Sequence, residues 1–282
     1  MKKVLCLLLT AVLFFSLAGC GLGGKTLYLP EKVEAYSGGE LSGTITYQYD
    51  KNGFLTKILT VSGENTDTTA ITCDKNGNVL SSYADHSRES TAVVGPAYAY
   101  TYSTKGNILS KTFSVNGQMN YQANWEYNSK HQVTHAVRTD RQGNTLAYGY
   151  EYDEDGKLLA IHGLREENEM SKTTETVFEY DEKGRVVLET LCNHRGTEIY
   201  RVDYRYEEEK TVASFYRKDL DTTTTYTFDQ AGNVVEIAYG ETGNNIRYVY
   251  TYKEVKVSED SPRRSYTGFQ SLPATGLTTL WQ

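Results

Sequence analysis

The chain has 282 residues, 39% of them hydrophobic and 23% charged, with a formal net charge of −7 at pH 7. That composition can form a core, which excludes a disordered chain, and no basic stripe is present to follow a phosphate backbone, which argues against nucleic acid as a partner. Tyrosine is the anomaly, with 24 residues against four prolines and three methionines; rings fit a pleated, half-buried surface, so the bias favours strands.

In chain order, Lys2 and Lys3 precede an apolar run from Val4 to Leu17. The run is short for a bilayer span and has the flanks of a signal peptide. It ends in LAGC, Leu17 to Cys20. This resembles the lipobox of bacterial lipoproteins. The resemblance implies cleavage before Cys20, a diacylglyceryl thioether on its sulfur, and an acylated new N-terminus. The chain would then be anchored by lipid on the extracytoplasmic face of the cell membrane, stably so, because two or more acyl chains hold where one does not. The other reading is an ordinary secretory signal with an incidental cysteine. Loss of Lys2 and Lys3 takes the net charge from −7 to −9. The expected divisions are a signal peptide over 1–19, a tether over 20–32, a repeat domain over 33–257 and a polar tail over 258–282.

The repeat domain is visible as self-similarity. YQYDKNGFL starts at Tyr47, ITCDKNGNV at Ile71, YTYSTKGNI at Tyr100, WEYNSKHQV at Trp125, and YEYDEDGKL at Tyr150. FEYDEKGRV follows at Phe178, YRYEEEKTV at Tyr204, YTFDQAGNV at Tyr226 and a degenerate copy at Tyr248. Columns one and three are aromatic in most copies and, two residues apart on a strand, share a face. Asp then Gly three residues later marks a type I turn, which with Gly in the left-handed region makes a bulged hairpin. Gly53, Gly77, Gly106, Gly156, Gly184 and Gly232 are therefore expected at positive φ. Two residues past that column stand Leu55, Val79, Ile108, Val133, Leu158, Val186, Val212 and Val234, all apolar, a candidate core stripe. A second turn signal, such as SGGE at 37–40 or VNGQ at 115–118, falls between copies. The expectation is an all-β fold: an antiparallel meander of roughly sixteen to eighteen strands forming a long twisted or curved sheet. Pro30 is placed in the tether and Pro96 between strands, where no ladder donor is needed.

The YxYDxxG columns resemble the tyrosine-aspartate (YD) repeats of rearrangement-hotspot proteins and teneurins. The resemblance implies long antiparallel sheets that spiral into a shell. This chain is far shorter than one that closes a large shell, and the Asp and Gly columns fail in three copies. The likeness speaks to architecture and leaves the role open.

Few residues point to chemistry. The DEDG cluster at Asp153–Gly156 has carboxylates and a glycine at spacings seen in calcium loops. The twelfth position of such a loop needs a bidentate Glu and is His162, so the cluster reads as a turn. His131 and His135 would share a zinc on a helix, but on a strand they stand about 13 Å apart. Glu166, Glu167, Glu169 and Glu207 to Glu209 are acidic runs at expected turns, where a solvated face is the simpler account than a glycosidase pair. LPATG at 272–276 has the form of a sorting signal without the apolar segment and basic tail that follow one. Cys73 and Cys192 remain after Cys6 and Cys20 are set aside; their spacing gives no disulfide framework, and small buried thiols are the reading adopted. No catalytic residue, metal site or cofactor is expected. The candidate site is an aromatic strip of Tyr47, Tyr49, Tyr100, Tyr102, Trp125, Tyr127, Tyr150, Tyr152 and Tyr180, with Phe178 in the same columns. Its rings should pack by their faces while many hydroxyls reach solvent. A non-catalytic binding or structural module at the cell envelope is the expected role, with surface glycan or an envelope protein as partner. A polysaccharide-acting hydrolase and a carrier of lipid in a curved hollow are the alternatives.

Overall fold

The computed structural model describes residues 25–87, 93–166, 169–230, 232–240 and 244–257. Cys20 and LPATG at 272–276 lie outside these residues. The aspartate of each repeat begins a five-residue turn whose hydrogen bonds explain the motif. Asp50 Oδ1 accepts the backbone N–H groups of Asn52 and Phe54, both at 2.8 Å, and its carbonyl accepts that of Gly53 at 3.1 Å. Asp74 and Asp181 repeat the arrangement, and Asn128 does so with an amide oxygen. A short acceptor side chain thus holds donors that a hairpin tip would otherwise leave to water. Gly53, Gly77, Gly106, Gly156, Gly184 and Gly232 have φ between 75° and 88°. Where the copy at 128–132 lacks glycine, His131 takes the same left-handed conformation at φ 66°. In DEDG, Asp153 Oδ1 accepts the N–H of Lys157 at 2.7 Å, which commits it to the turn.

These turns connect alternate pairs in a run of eighteen strands among the described residues. The first nine are β1 (Lys25–Ser37), β2 (Glu40–Tyr49), β3 (Leu55–Ser62), β4 (Asn65–Cys73), β5 (Val79–Ser87), β6 (Val93–Tyr102), β7 (Ile108–Val115), β8 (Gln118–Tyr127) and β9 (Val133–Asp140). The second nine are β10 (Thr145–Tyr152), β11 (Leu158–Glu166), β12 (Glu169–Tyr180), β13 (Val186–Asn193), β14 (Glu198–Tyr206), β15 (Lys210–Arg217), β16 (Thr222–Asp229), β17 (Val234–Tyr239) and β18 (Asn244–Val257). Each pairs antiparallel with the next, and β18 pairs with β1 from Lys25↔Val257 to Ser37↔Ile246. The expected open sheet is corrected: the meander closes into a barrel, and the closing pair leaves no edge strand exposed. β1 starts at Lys25, inside the stretch read as a tether, and β18 ends at Val257. Pro30 therefore lies in β1, beside the register shift before Lys32, and Pro96 lies in β6, next to the irregularity opposite Tyr83 and Asp85. Both prolines sit where the ladder is already broken.

The register sorts the wall into two faces. Tyr47 stands opposite Ile58, which is opposite Thr69; Trp125 stands opposite Ala136, which is opposite Tyr148. Following such pairs around the ring puts the aromatic columns of all copies on one face. That face contains fully sealed side chains: Val33, Val202, Thr176 and Glu189 are at most 1% exposed. A single-layer wall seals large side chains most completely where their neighbours converge, on the concave side, so the aromatic face lines the inside. The opposite face carries Lys57, Glu126, Glu151, Glu179, Arg201, Arg205 and Arg247, six of them exposed and Lys57 half-buried. Strands spaced about 4.8 Å apart and tilted by about 40° give eighteen of them a circumference of about 110 Å, too wide for side chains from opposite walls to fill. The three clusters of buried apolar residues accordingly run along neighbouring strands, around Val33–Leu55, Trp125–Ala136 and Val202–Ile237.

The expected core stripe needs one correction. In seven hairpins a bulge falls just before the third column, as between Gln48 and Tyr49, and returns the following strand to the inner face. The turn at Glu207–Lys210 has no such shift, so Val212, though buried as expected, stands opposite Arg205 on the outer side, and Ala213 takes the inner place opposite Tyr204.

The turn geometry makes a graded prediction. Asp153→Asn should be nearly neutral in thermal unfolding, Asp153→Ala should cost about 1 kcal/mol, and Gly156→Val should cost about 1 kcal/mol or more. Calcium should not move the melting temperature. The Arg185 side chain lowers the pKa of Asp181, and the Asn144 side chain that of Asp140. A depressed carboxyl stabilises the fold above its unfolded value and ceases to as pH falls through its folded value. Acid unfolding should therefore steepen below about pH 4, and Asp140→Asn should shift the acid midpoint less than Asp181→Ala.

Candidate functional site

The third-column tyrosines are the most regular feature of the inner face. Tyr102 donates its hydroxyl to the carbonyl of Val79 at 2.8 Å, Tyr127 to Ile108 at 2.7 Å, Tyr152 to Val133 at 2.9 Å and Tyr180 to Leu158 at 2.7 Å. Tyr206 donates to Val186 at 2.7 Å and Tyr250 to Val234 at 2.9 Å. Each acceptor is the apolar residue two past the turn's glycine, or its equivalent, in the preceding copy. Tyr49 reaches Pro30 of β1 at 2.8 Å, so the same lacing spans the first hairpin and the closing strand. Where a copy has cysteine, Cys73 Sγ lies 3.8 Å from the Leu55 carbonyl, and where it has Phe228 no hydroxyl exists to donate. Burial pushes the Cys73 thiol up to about 11.

The predicted strip is therefore on one face, but its hydroxyls are not directed to solvent as expected. Those of Tyr49, Tyr102, Tyr127, Tyr152 and Tyr180 are bound to backbone. Tyr47, Trp125 and Phe178 are buried, and Tyr100 and Tyr150 are half-buried. The Tyr150 hydroxyl is enclosed without a hydrogen-bond partner. Both cysteines are free thiols, on β4 and β13. His131 sits in its turn, 3.0 Å from Asn107 Nδ2, while His135 is on the outer face opposite Gly149, so the two histidines are not brought together. Glu166 ends β11 and Glu169 begins β12, Glu167 lies outside the described residues, and Glu207 to Glu209 are exposed at a turn.

Sequence reading missed three inner-face charges. Glu189 is 1% exposed, with Tyr200 donating to one carboxylate oxygen at 2.9 Å and Tyr204 approaching the other at 3.4 Å. Lys111 and Arg138 flank Ala123 in one row across β7, β8 and β9. Lys111 Nζ stands 4.9 Å from the Tyr98 ring centre, and Arg138 Cζ 4.1 Å from that of Tyr121. Phe113 stacks between those two rings, at 4.9 and 5.2 Å. Burial, then the nearby Arg138, lowers the Lys111 ammonium below its usual range. The signal that could have found them is a charged residue at a position whose alternation points inward.

No family model matches the chain, and no curated protein matches it. Among solved structures it is similar to a porin-like protein from Bacteroides uniformis, at 12% identity over 79% of this chain and 96% of that one, with a TM-score of 0.40. A porin-like protein from Bacteroides vulgatus gives 11%, 80%, 99% and 0.29 for the same quantities. TcdB2-TccC3 without its hypervariable C-terminal region gives 14%, 85%, 16% and 0.26. Likeness at this level carries no argument about what the present chain does.

The lacing predicts two outcomes. Tyr152→Phe should cost about 1 kcal/mol in chemical unfolding and leave the fold intact, as Phe228 is already accommodated. Burial raises the hydroxyls of Tyr127, Tyr152 and Tyr180, and pushes that of Tyr252 up to about 12. A raised folded value stabilises below the unfolded value of about 10 and is lost as pH rises through the folded one. Tyrosinate absorbance should therefore appear late and together with loss of the β circular-dichroism signal, rather than as an independent titration near pH 10.

Proposed function

We propose that the chain is a lipid-anchored, non-catalytic binding barrel on the extracytoplasmic face of the cell membrane. The observation that carries the binding part is the inner face: a closed wall too wide to fill itself, lined with half-buried rings. The anchoring part rests on LAGC at Leu17–Cys20. The barrel stands outside the bilayer. A lipid-facing surface tolerates charge poorly, at about 2–4 kcal/mol per basic residue at mid-depth. The outer face instead carries exposed Glu126, Glu151, Arg201, Arg205 and Arg247 on strands distributed around the ring.

The anchor also orients the barrel. Only four residues lie between Cys20 and Lys25, the first residue of β1, and the stretch from one to the other, fully extended, reaches about 18 Å. The rim where β1 begins is the rim of the aspartate turns, so that rim lies against the membrane and the rim of the SGGE and VNGQ turns points away. A hydrolase is less well supported: among the described residues Glu189 is the one buried carboxylate, and it is held by two tyrosines. A hollow that carries a hydrophobic ligand is the second reading, favoured by the closure of the ring.

Cys20→Ala should move the protein from the detergent phase to the aqueous phase or leave an unprocessed precursor. Unchanged partitioning would contradict the anchor. A polarity-sensitive label at Lys75 should report a more membrane-proximal setting than one at Arg195 in reconstituted vesicles; the reverse order would contradict the orientation.

A further inference from the structure

Several exposed cations of this acidic chain are paired. Arg185 meets Asp181 at 2.6 Å, Arg201 meets Asp203 at 3.1 Å, Arg205 meets Glu207 at 3.0 Å, and Lys32 meets Glu34 at 2.7 Å. Lys111 and Arg138 are half-buried on the inner face. No carboxylate lies within ion-pair distance of either among the described residues, although 36 Asp and Glu stand against 29 Lys and Arg in the chain. Asp140 is on the same face, two residues along β9. Its carboxylate is taken by the N–H groups of Gln142 and Asn144, each at 2.9 Å, and by the Asn144 amide at 2.8 Å.

Two like charges held near one another without a counterion destabilise a fold. Here each is placed over a ring instead, which offsets part of that cost but leaves the row with net positive charge. Its geometry suits a bound anion. Lys111 and Arg138 are two strand spacings apart, about 10 Å, with only the methyl of Ala123 between them. Tyr98, Phe113 and Tyr121 form a continuous aromatic wall on the adjoining row. The hydroxyls of Tyr98 and Tyr121, unlike those of the lacing tyrosines, have no hydrogen-bond partner among the described residues. Unengaged hydroxyls and two unpaired cations around a small residue are the elements of a site for a hydroxylated anion.

We infer that this row binds an acidic saccharide, with Lys111 and Arg138 taking its carboxylate or sulfate and the Tyr98 and Tyr121 hydroxyls meeting its ring hydroxyls. The inference rests on the binding-barrel reading and adds the ligand's class and location. It places the ligand on the inner face, in the sector formed by β6 to β9.

The test uses the mature full-length chain in detergent, titrated calorimetrically with tetragalacturonate and a sulfated tetrasaccharide, and with maltotetraose as the neutral counterpart. At least one acidic oligosaccharide should bind at least tenfold tighter than maltotetraose. Lys111→Gln and Arg138→Gln should each weaken it about tenfold, the loss expected for a hydrogen bond to a charged group. Lys57→Gln on the outer face should leave it unchanged, with circular dichroism showing every variant folded. Equal binding of acidic and neutral sugars, or binding unchanged in both variants, overturns the assignment and leaves the binding-barrel reading standing. No binding of any saccharide overturns the assignment too; the broader reading then depends on whether a fluorescent hydrophobic probe enters the barrel, and fails if it does not.

Discussion

The bond from a third-column side chain to the backbone of the preceding hairpin is the interaction on which the barrel depends. A single-layer wall has no second layer to pack against, so neighbouring hairpins must hold one another. Tyrosine suits this because its ring covers the inner surface of the adjacent strand while its hydroxyl satisfies a carbonyl next to the bulge, where ladder bonding is interrupted. The contact recurs at Tyr102, Tyr127, Tyr152, Tyr180, Tyr206 and Tyr250, and Tyr49 carries it across to β1. Phenylalanine would cover the same surface and leave the carbonyl unpaired, which explains why tyrosine dominates a column that is not directed to water.

The aspartate and aromatic columns are two halves of one device. Aspartate fixes the hairpin tip, and in the repeat hairpins a bulge beside the tip turns the next strand's apolar residue inward under the lacing tyrosine. Where the turn degenerates at Glu207–Lys210, the bulge disappears and Val212 changes face. That failure shows the order of cause: side-chain direction follows turn geometry, not the apolar column.

Much of this was legible in the sequence because a period-two pattern and a turn signature are local. The strand count, the left-handed glycines and the shared face of the aromatic columns all follow from residues within one copy. Closure was not legible, since it depends on β1 pairing with β18, more than two hundred residues away, through segments that carry only a degenerate copy of the motif. The direction of the tyrosine hydroxyls is not legible for a related reason: their acceptors are backbone carbonyls in another copy, and a sequence gives carbonyls no distinguishing mark. Lys111 and Arg138 do not stand out because a single lysine or arginine within a strand ordinarily reads as a solvated residue. Only the register shows that both point inward and stand in one row.

The account stands or falls on closure, because an open sheet would have neither an inner face nor a sealed Val202. Glu34 and Val249 face each other across β1 and β18 on the outer side. In a mature chain lacking Cys20, Cys73 and Cys192, the pair Glu34→Cys and Val249→Cys should form a disulfide within one molecule on mild oxidation. It should do so as readily as the neighbouring-strand pair Gln48→Cys and Lys57→Cys. Efficient crosslinking of the second pair with none of the first, or with only links between molecules, would contradict the barrel.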